Sequence, residues 1–440
     1  MSASDLAARL AGDPGHKDFT SGTHRTVDPE ATLARMAPRL GALGITRIAN
    51  VTHLDRIGIP VTMVVRPNSR SIAVSQGKGL TLAAAKASGV MEAIETHHAE
   101  RIALPLRLAR ETDLRGELPL IDIDGLPRIA GDRYEPSRPM LWIEGWDLIG
   151  GAPLWLPFEP VHANFTLPLP QGSGCFVAST NGLASGNQVL EALCHGLCEV
   201  IERDATSLWH ALDNEARGRT RLDLASIDDP ACREALERYE TADFEVAAWD
   251  MTSDVGVPAY QALILDRRSG QSHPGVGAGC HPSRGIALLR ALLEAAQVRM
   301  TYISGSRDDL MMEEFTKAAL AEKLGKAQRL LARDPAQRGF EATPSLENDS
   351  FAQDLADILA RLSAVGVRQV AAVDLSPPGA DYAVTRVVVP GLEAPDDDDA
   401  YVPGPRAEAL ASRGAGRRET LRSAPVRGAR QTRLEASGDA

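Results

Sequence analysis

The stretch Asn181–Ala205, NGLASGNQVLEALCHGLCEVIERDA, constrains the fold more than any other segment, because it joins a glycine-bearing loop to a helix whose acids all point one way. At 100° per residue, Glu191, His195, Glu199 and Glu202 fall within about 80° of one another. Leu190, Leu193, Leu197, Val200 and Ile201 take the other side, which gives the helix a clear core-facing surface. Taken alone, the segment reads as an amphipathic surface helix with a solvated acidic face.

Two further segments make that reading less comfortable. Gln76-Gly77-Lys78-Gly79 reads as a loop feeding a helix from Thr81 to Glu95, where the only polar residues after Leu82 are Lys86, Ser88, Glu92 and Glu95. The last three lie within roughly 60° of one another. Gly275–Gly279 reads as another glycine loop, followed by a helix from Arg284 to Arg299 on which Arg290, Glu294 and Gln297 share a similarly narrow face. Helices this apolar are buried, and buried carboxylates need cations beside them. If the stripes converge, Glu92, Glu95, Glu191, Glu199, Glu202 and Glu294 repel one another unless a metal intervenes, and magnesium suits an all-oxygen set. Backbone amides of glycine loops suit phosphate. Lys78 stands at one such loop, and Lys17 and Arg25, in the loop KDFTSGTHRT, are candidates to add charge to a triphosphate, with solvated surface roles as the alternative. Residues 75–81 are not a Walker A sequence, since Ile72 and Gly79 stand where that pattern needs Gly and Ser or Thr.

The remaining chain supplies strand pairs. Ile45–Thr52, Ile59–Arg66 and Ser71–Ser75 read as strands, as do Phe244–Met251 with Ala259–Asp266, and Gln369–Asp374 with Ala383–Val389. Met140–Trp146 and Pro153–Leu156 read as a hairpin around Gly150-Gly151. Helical patterns cover a segment capped by Asp28 and running to Leu43, then Met311–Arg333 and Phe351–Leu362. DRIGIPVTMVV at Asp55 and DVGVPAYQALI at Asp254 form a weak internal repeat, each leading to a glycine stretch and a helix, with chance similarity as the alternative. Residues 396–399 are an acidic run expected in a solvated loop. We therefore expect an α+β domain over residues 1–410 built from strand-pair and helix units, and a disordered Arg-rich tail over 411–440, with an anion- or partner-binding arm as the tail's functional alternative.

A formal charge of -12 and a pI near 5.4 argue against a general nucleic-acid binder. No run approaches the length of a membrane span and the start lacks an apolar signal core, so the expected location is cytoplasmic. The five cysteines are too scattered for a disulfide framework, and Cys194 and Cys198 have no second pair to complete a zinc site.

SQGKGLTLAAAKASGVMEAIE, GLASGNQVLEALCHGLCEVIERDA and GAGCHPSRGIALLRALLEAAQVR together resemble, in order, the three ATP-binding segments of the YcaO family. The resemblance implies an α+β fold with nucleotide and magnesium held among helices. Residue by residue, it puts Ser88, Glu92 and Glu95 in the first motif, Asn187, Glu191, Glu199, Glu202 and Arg203 in the second, and Glu294 in the third. Arg290 and Gln297 are implied nucleotide contacts. Glu199, Glu202 and Arg203 carry the catalytic expectation. Thr96 departs from the pattern, standing where many members have arginine, which puts a phosphate contact there in question.

Such enzymes use ATP and magnesium to phosphorylate a peptide amide oxygen, after which a nucleophile attacks the amide carbon. Azoline-forming members end in a proline-rich segment, whereas this chain ends TRLEASGDA. KDFTSGTHRTVDPE and VVVPGLEAP resemble the TfuA-associated branch, which implies thioamide formation on a peptide or protein substrate with a TfuA-like sulfur-delivery partner. Cyclodehydration to azolines is the second reading, and a non-catalytic ATP-binding accessory protein the third. The sequence leaves the peptide, the sulfur source and the oligomeric state open, a homodimer included.

Overall fold

The computed structural model describes residues 2–270, 272–332, 338–396 and 400–413. Three antiparallel strands come first: β1 (Arg47–Asn50), β2 (Val61–Val65) and β3 (Val74–Lys78), in that order. The first site helix, Leu82–Ala99, follows at once and packs on β3; the Thr81 hydroxyl caps it by accepting the Ala84 amide at 3.1 Å. β4 (Leu106–Ala109), β5 (Met140–Asp147), β6 (Ala152–Pro157) and β7 (Leu183–Gly186) then contribute to a six-stranded sheet. The second site helix, Val189–Ala211, packs on β7. A second three-stranded antiparallel sheet is β8 (Phe244–Asp250), β9 (Ala259–Asp266) and β10 (Gly275–Cys280), and the third site helix, Arg284–Ser304, packs on β10 and β9. β11 (Ala371–Asp374) and β12 (Ala383–Val388) return to the six-stranded sheet, whose order is β4-β5-β11-β12-β7, with β6 paired to β5.

The three glycine stretches that read as loops are strands. β3 contains Gln76, Gly77 and Lys78, β7 ends at Gly186, and β10 is the whole Gly275–Cys280 run. The cause is steric. A Cβ on Gly77 would strike the Ala85 carbonyl and the Gly89 amide, and one on Gly279 would strike the Ala287 carbonyl and the Ala291 amide. Glycine therefore serves close helix-on-strand packing here, which sequence periodicity cannot distinguish from a loop. The two contact sets also match, so the strands and helices that follow Asp55 and Asp254 are built alike.

The second site helix is the hub of one core. Leu193, Leu197, Val200 and Ile201 pack with Ala383, Val387 and Val389 of the last strand segment. Cys194, Cys198 and Cys280 are buried and free. The helix expected from Asp28 to Leu43 is shorter, Pro29–Met36 with a 3-10 turn to Arg39. The pattern expected over 311–333 resolves into a 3-10 turn, Met312–Phe315, and a helix, Lys317–Leu331. The Asp396 carboxylate accepts a hydrogen bond from His210 Nδ1 at 2.7 Å, while 397–399 lie outside the described residues. The last described helix, Pro405–Arg413, enters the segment read as a tail, and residues 414–440 lie outside the described ones. No helix among the described residues is long and apolar enough to cross a membrane.

Candidate functional site

The three polar stripes face one another. Lys78, the last residue of β3, reaches across to Glu294 of the third helix, with Nζ 2.8 Å from Oε2. Glu92 and Glu294 are held alike: the Gln76 amide donates to Glu92 Oε1 at 3.3 Å and the Ala278 amide donates to Glu294 Oε1 at 3.4 Å. Burial pushes Glu92 above the ordinary carboxylate range, with Arg307 and Lys78 opposing. Glu202 is buried and raised by burial and then by the Glu294 charge, against Arg203 and Lys78. Burial also pushes Glu294 up, but Lys78 and Arg203 outweigh it and hold this carboxyl low. Lys78 and Arg203 thus act on Glu202 and Glu294 together.

A second group lies where the first and second helices meet β7. Glu95 Oε1 accepts the Ser185 amide at 2.8 Å and the Ser185 hydroxyl at 2.7 Å, yet burial raises its pKa to about 8. Glu199 is raised to about 7 by burial, with Arg203 opposing and Glu202 adding to the rise; Arg386 and the Gly182 amide also oppose it. A third group surrounds Glu191, which is 2% exposed. Its oxygens accept the Thr26 amide at 3.1 Å, the Thr26 hydroxyl at 3.0 Å and Asn187 Nδ2 at 3.3 Å, and Arg25 Nε lies 3.4 Å away. Burial pulls the Arg25 guanidinium below its usual range.

The six carboxylates do not gather into one cage. Among the described residues no three His, Cys, Asp or Glu side chains converge tightly enough to hold a metal ion by themselves. They are spread over three helices, and Glu92, Glu95, Glu191 and Glu294 are already engaged by backbone amides or cations. Oxygen donors that burial has desolvated still fit magnesium, which keeps waters and takes phosphate oxygens rather than an all-protein shell.

Other residues singled out in the sequence fall in different places. Ser88 is exposed, one turn before Glu92. Arg290 donates Nη1 to the Cys280 carbonyl at 3.2 Å. Gln297 is buried and its Oε1 has no partner among the described residues. Lys17 is 2.7 Å from Asp354 Oδ2 and donates to the Asn348 carbonyl at 2.7 Å, with both ion-pair side chains nearly sealed from solvent. Thr96 accepts Arg66 Nη1 at 2.6 Å in a buried network with Glu100. His195 reads as a surface imidazole in the sequence, and the structure corrects this: its Nδ1 is buried without a partner, and burial, then Arg290, Arg25 and Lys78, hold it well below the ordinary histidine range.

Sequence reasoning missed Arg386 on β12 and His162, both 2% exposed. A signal for Arg386 was present: it is the one charge in the apolar run Ala383–Val389, AVTRVVV. Beside the loop carrying Arg25 lies a cleft of about 450 Å3, lined in part by Lys17, Thr20, Gly22, His24, Asp229 and Ser283. The His24 and His281 rings meet edge-on at its border, with centroids 5.0 Å apart.

Residues 76–393 match the family model described as YcaO cyclodehydratase, ATP- and Mg2+-binding. An uncharacterized protein in the tfuA 3′ region of Rhizobium leguminosarum bv. trifolii is 37% identical over 399 residues, covering 89% of this chain and 92% of the relative. Among solved structures, YcaO from Methanopyrus kandleri bound with AMPPCP and Mg2+ shares the fold at TM-score 0.68 and 24% identity, over 86% of this chain and 95% of that one. A heterocyclase in complex with substrate and cofactor gives TM-score 0.70 at 23% identity, over 84% of this chain. This chain spans only 53% of that heterocyclase.

Proposed function

The chain belongs to the YcaO family, an ATP- and Mg2+-binding one, and from that premise we propose that it activates a peptide backbone amide by ATP-dependent phosphorylation, leading to a thioamide with a TfuA-like partner. The observation that carries the proposal is the facing of Glu92, Glu202 and Glu294 around Lys78 and Arg203, an anionic and cationic set with oxygen ligands only. Glu92, Glu95, Glu191, Glu199, Glu202 and Glu294 are the oxygens proposed to hold magnesium, directly or through water. Magnesium, when bound, would neutralise charge on the transferring phosphoryl group.

The chain's own residues do the rest. Lys78 and Arg203 add fixed positive charge where the phosphates are proposed to lie, in a site that burial has partly dried. The loop that carries Arg25, whose guanidinium lies 3.4 Å from Glu191, also lines the 450 Å3 cleft; this cleft has the size of a small-molecule pocket and is proposed to take the nucleoside, with Asn187 and Arg290 as further contacts and Ser88 and Gln297 at the phosphate end. Glu199, whose pKa burial raises to about 7 in the metal-free protein, is proposed to give up its proton as magnesium binds. The amide oxygen bonds to the γ-phosphorus as ADP departs; sulfide then adds to the amide carbon, and the carbon–oxygen bond breaks to release phosphate. Support for the partner is that the 37% identical relative lies in a tfuA 3′ region.

Mass spectrometry of candidate peptides incubated with the protein, ATP, magnesium, sulfide and a TfuA-like partner tests this reading. Oxygen-to-sulfur exchange adds mass, whereas the cyclodehydratase alternative loses water. ATP turnover that survives in both Glu199→Gln and Glu202→Gln would place the chemistry elsewhere. ATP binding with no peptide-dependent turnover would leave the accessory role.

A further inference from the structure

The two three-stranded sheets hold their glutamates alike, and the likeness exposes a difference in charge. Gln76 and Ala278 each give a backbone amide to the glutamate 16 residues on, Glu92 and Glu294. Two residues after Gln76 comes Lys78, whose ammonium crosses to Glu294 at 2.8 Å. Two residues after Ala278 comes Cys280, which offers Glu92 no such cation.

Arg307 stands in its place. It follows the third site helix, which ends at Gly305 in a left-handed turn with φ 55°. Ser306 Oγ donates to Met63 Sδ at 2.9 Å, and Met63 is paired with Gln76 across β2 and β3. Asp308 accepts the Ala73 amide on both carboxylate oxygens at 3.1 Å, just before β3 begins. The neighbours of Arg307 on either side are thus fastened beside the strand segment whose amide holds Glu92. The charges agree with this placement, since Arg307 is the largest one opposing the effect of burial on Glu92.

The hydrogen bonds of Arg307 go to Asp309 rather than to Glu92: Nε donates to Oδ1 at 2.9 Å, and Nη2 donates to Oδ2. That pairing uses the side of the guanidinium formed by Nε and Nη2 and fixes its plane. The other end, formed by Nη1 and the second hydrogen of Nη2, meets no acceptor among the described residues, and the side chain is 24% exposed. Two roughly parallel N–H groups at a guanidinium end match two oxygens of one phosphate.

We propose that the Nη1–Nη2 end of Arg307 binds oxygens of the nucleotide's terminal phosphate, with Asp309 as the positioning residue that holds the guanidinium in plane. This rests on the ATP reading of the neighbouring carboxylates. A cation at this point supplies beside Glu92 what Lys78 supplies beside Glu294, from a loop outside the three motif segments.

Calorimetry on the full-length protein tests the proposal, with Mg·ADP and with Mg·AMPPCP, which carries a terminal phosphate that it does not transfer. Arg307→Gln is expected to keep Mg·ADP affinity within about twofold and to lose roughly tenfold for Mg·AMPPCP, the range of a hydrogen bond to a charged group. Arg307→Lys keeps the charge without the fork and is expected to recover part of the loss, and it carries the comparison if the glutamine variant does not fold. Asp309→Asn is expected to weaken Mg·AMPPCP selectively as well, and to add nothing once Arg307 is replaced, because it acts only through the guanidinium. A loss from Asp309→Asn that persists in the Arg307→Gln background would overturn that positioning role. Unchanged Mg·AMPPCP affinity in Arg307→Gln overturns the proposal, and so does an equal loss for both nucleotides, which would assign Arg307 to the shape of the loop. Wild-type protein that binds neither nucleotide would instead defeat the ATP reading, and the proposal with it.

Discussion

The ammonium of Lys78, at the end of a strand in the first structural unit, is 2.8 Å from Glu294 Oε2 on the third site helix. The pair ties two similarly built halves of the molecule across the candidate site. Each side chain is about one-quarter exposed, so the pair itself contributes little to stability, on the order of 1 kcal/mol or less. Its value is positional. Lys78→Met is expected to leave the melting temperature nearly unchanged and to weaken Mg·ATP binding by about tenfold. Lys78→Met with Glu294→Gln should show non-additive affinity losses in a double-mutant cycle. Additive losses would mean that the two residues act on separate ligands.

Close helix-on-strand packing makes a second, purely steric forecast. Gly277→Ala places a methyl against the Ala291 carbonyl and the Ala295 amide, both backbone atoms that cannot turn aside. A destabilisation of about 1–3 kcal/mol or more is expected in urea unfolding. Gly116→Ala is the control, since nothing lies within 4 Å of its added Cβ. Equal stability of the two variants would remove the packing account of the Gly275–Cys280 strand.

The stripes at Glu92, Glu202 and Glu294 were legible because a 3.6-residue period survives in any helix, buried or not. The strands before them were not, because a glycine chosen so that a helix can approach has the same letter as one chosen for a turn. The equivalence of Gly77 and Gly279 becomes visible only when the atoms they face, the carbonyls of Ala85 and Ala287, are placed. His195 was misjudged for a related reason. Its angle on the helix was right, but nothing in one sequence shows that Arg25, Arg290 and Lys78 come from three distant segments to the same face. Arg386 is buried because β12 lies between β11 and β7, an order that no single sequence displays. That Glu95 would feel Glu92 and Glu199, and Glu202 would feel Glu294, could not be read either, since spacing on a helix gives angle and not distance.

Lys17 distinguishes a phosphate contact from a tether. Its ammonium is neutralised by Asp354 at 2.7 Å, with 4% and 1% of the two side chains exposed. Removing one member of a buried pair strands the other, at a cost of about 3–5 kcal/mol. Lys17→Met should therefore lower the unfolding free energy by that amount, and Lys17→Met with Asp354→Asn should restore part of it. Loss of ATP affinity in Lys17→Met without loss of stability would assign Lys17 to the nucleotide instead.

Glu95 gives a pH dependence whose sign is fixed by its surroundings. Burial raises its pKa from 4.5 to about 8 in the folded chain, so the folded state holds a proton that the unfolded state releases. That contribution to stability is complete below about pH 4.5 and is lost as pH rises toward 8, because the buried carboxylate must ionise. Nucleotide-free protein should accordingly show a melting temperature that falls across this window, and Glu95→Gln should flatten the fall. A divalent cation reverses the preference, since it favours the ionised carboxyl. Binding of magnesium with nucleotide at pH 7 is therefore expected to release close to one proton from Glu95, read by calorimetry in buffers of different ionisation enthalpy. The release should shrink above pH 8, where the proton is already gone, and be smaller in Glu95→Gln at pH 7. A proton release that is the same in wild type and Glu95→Gln would show that Glu95 does not face the cation.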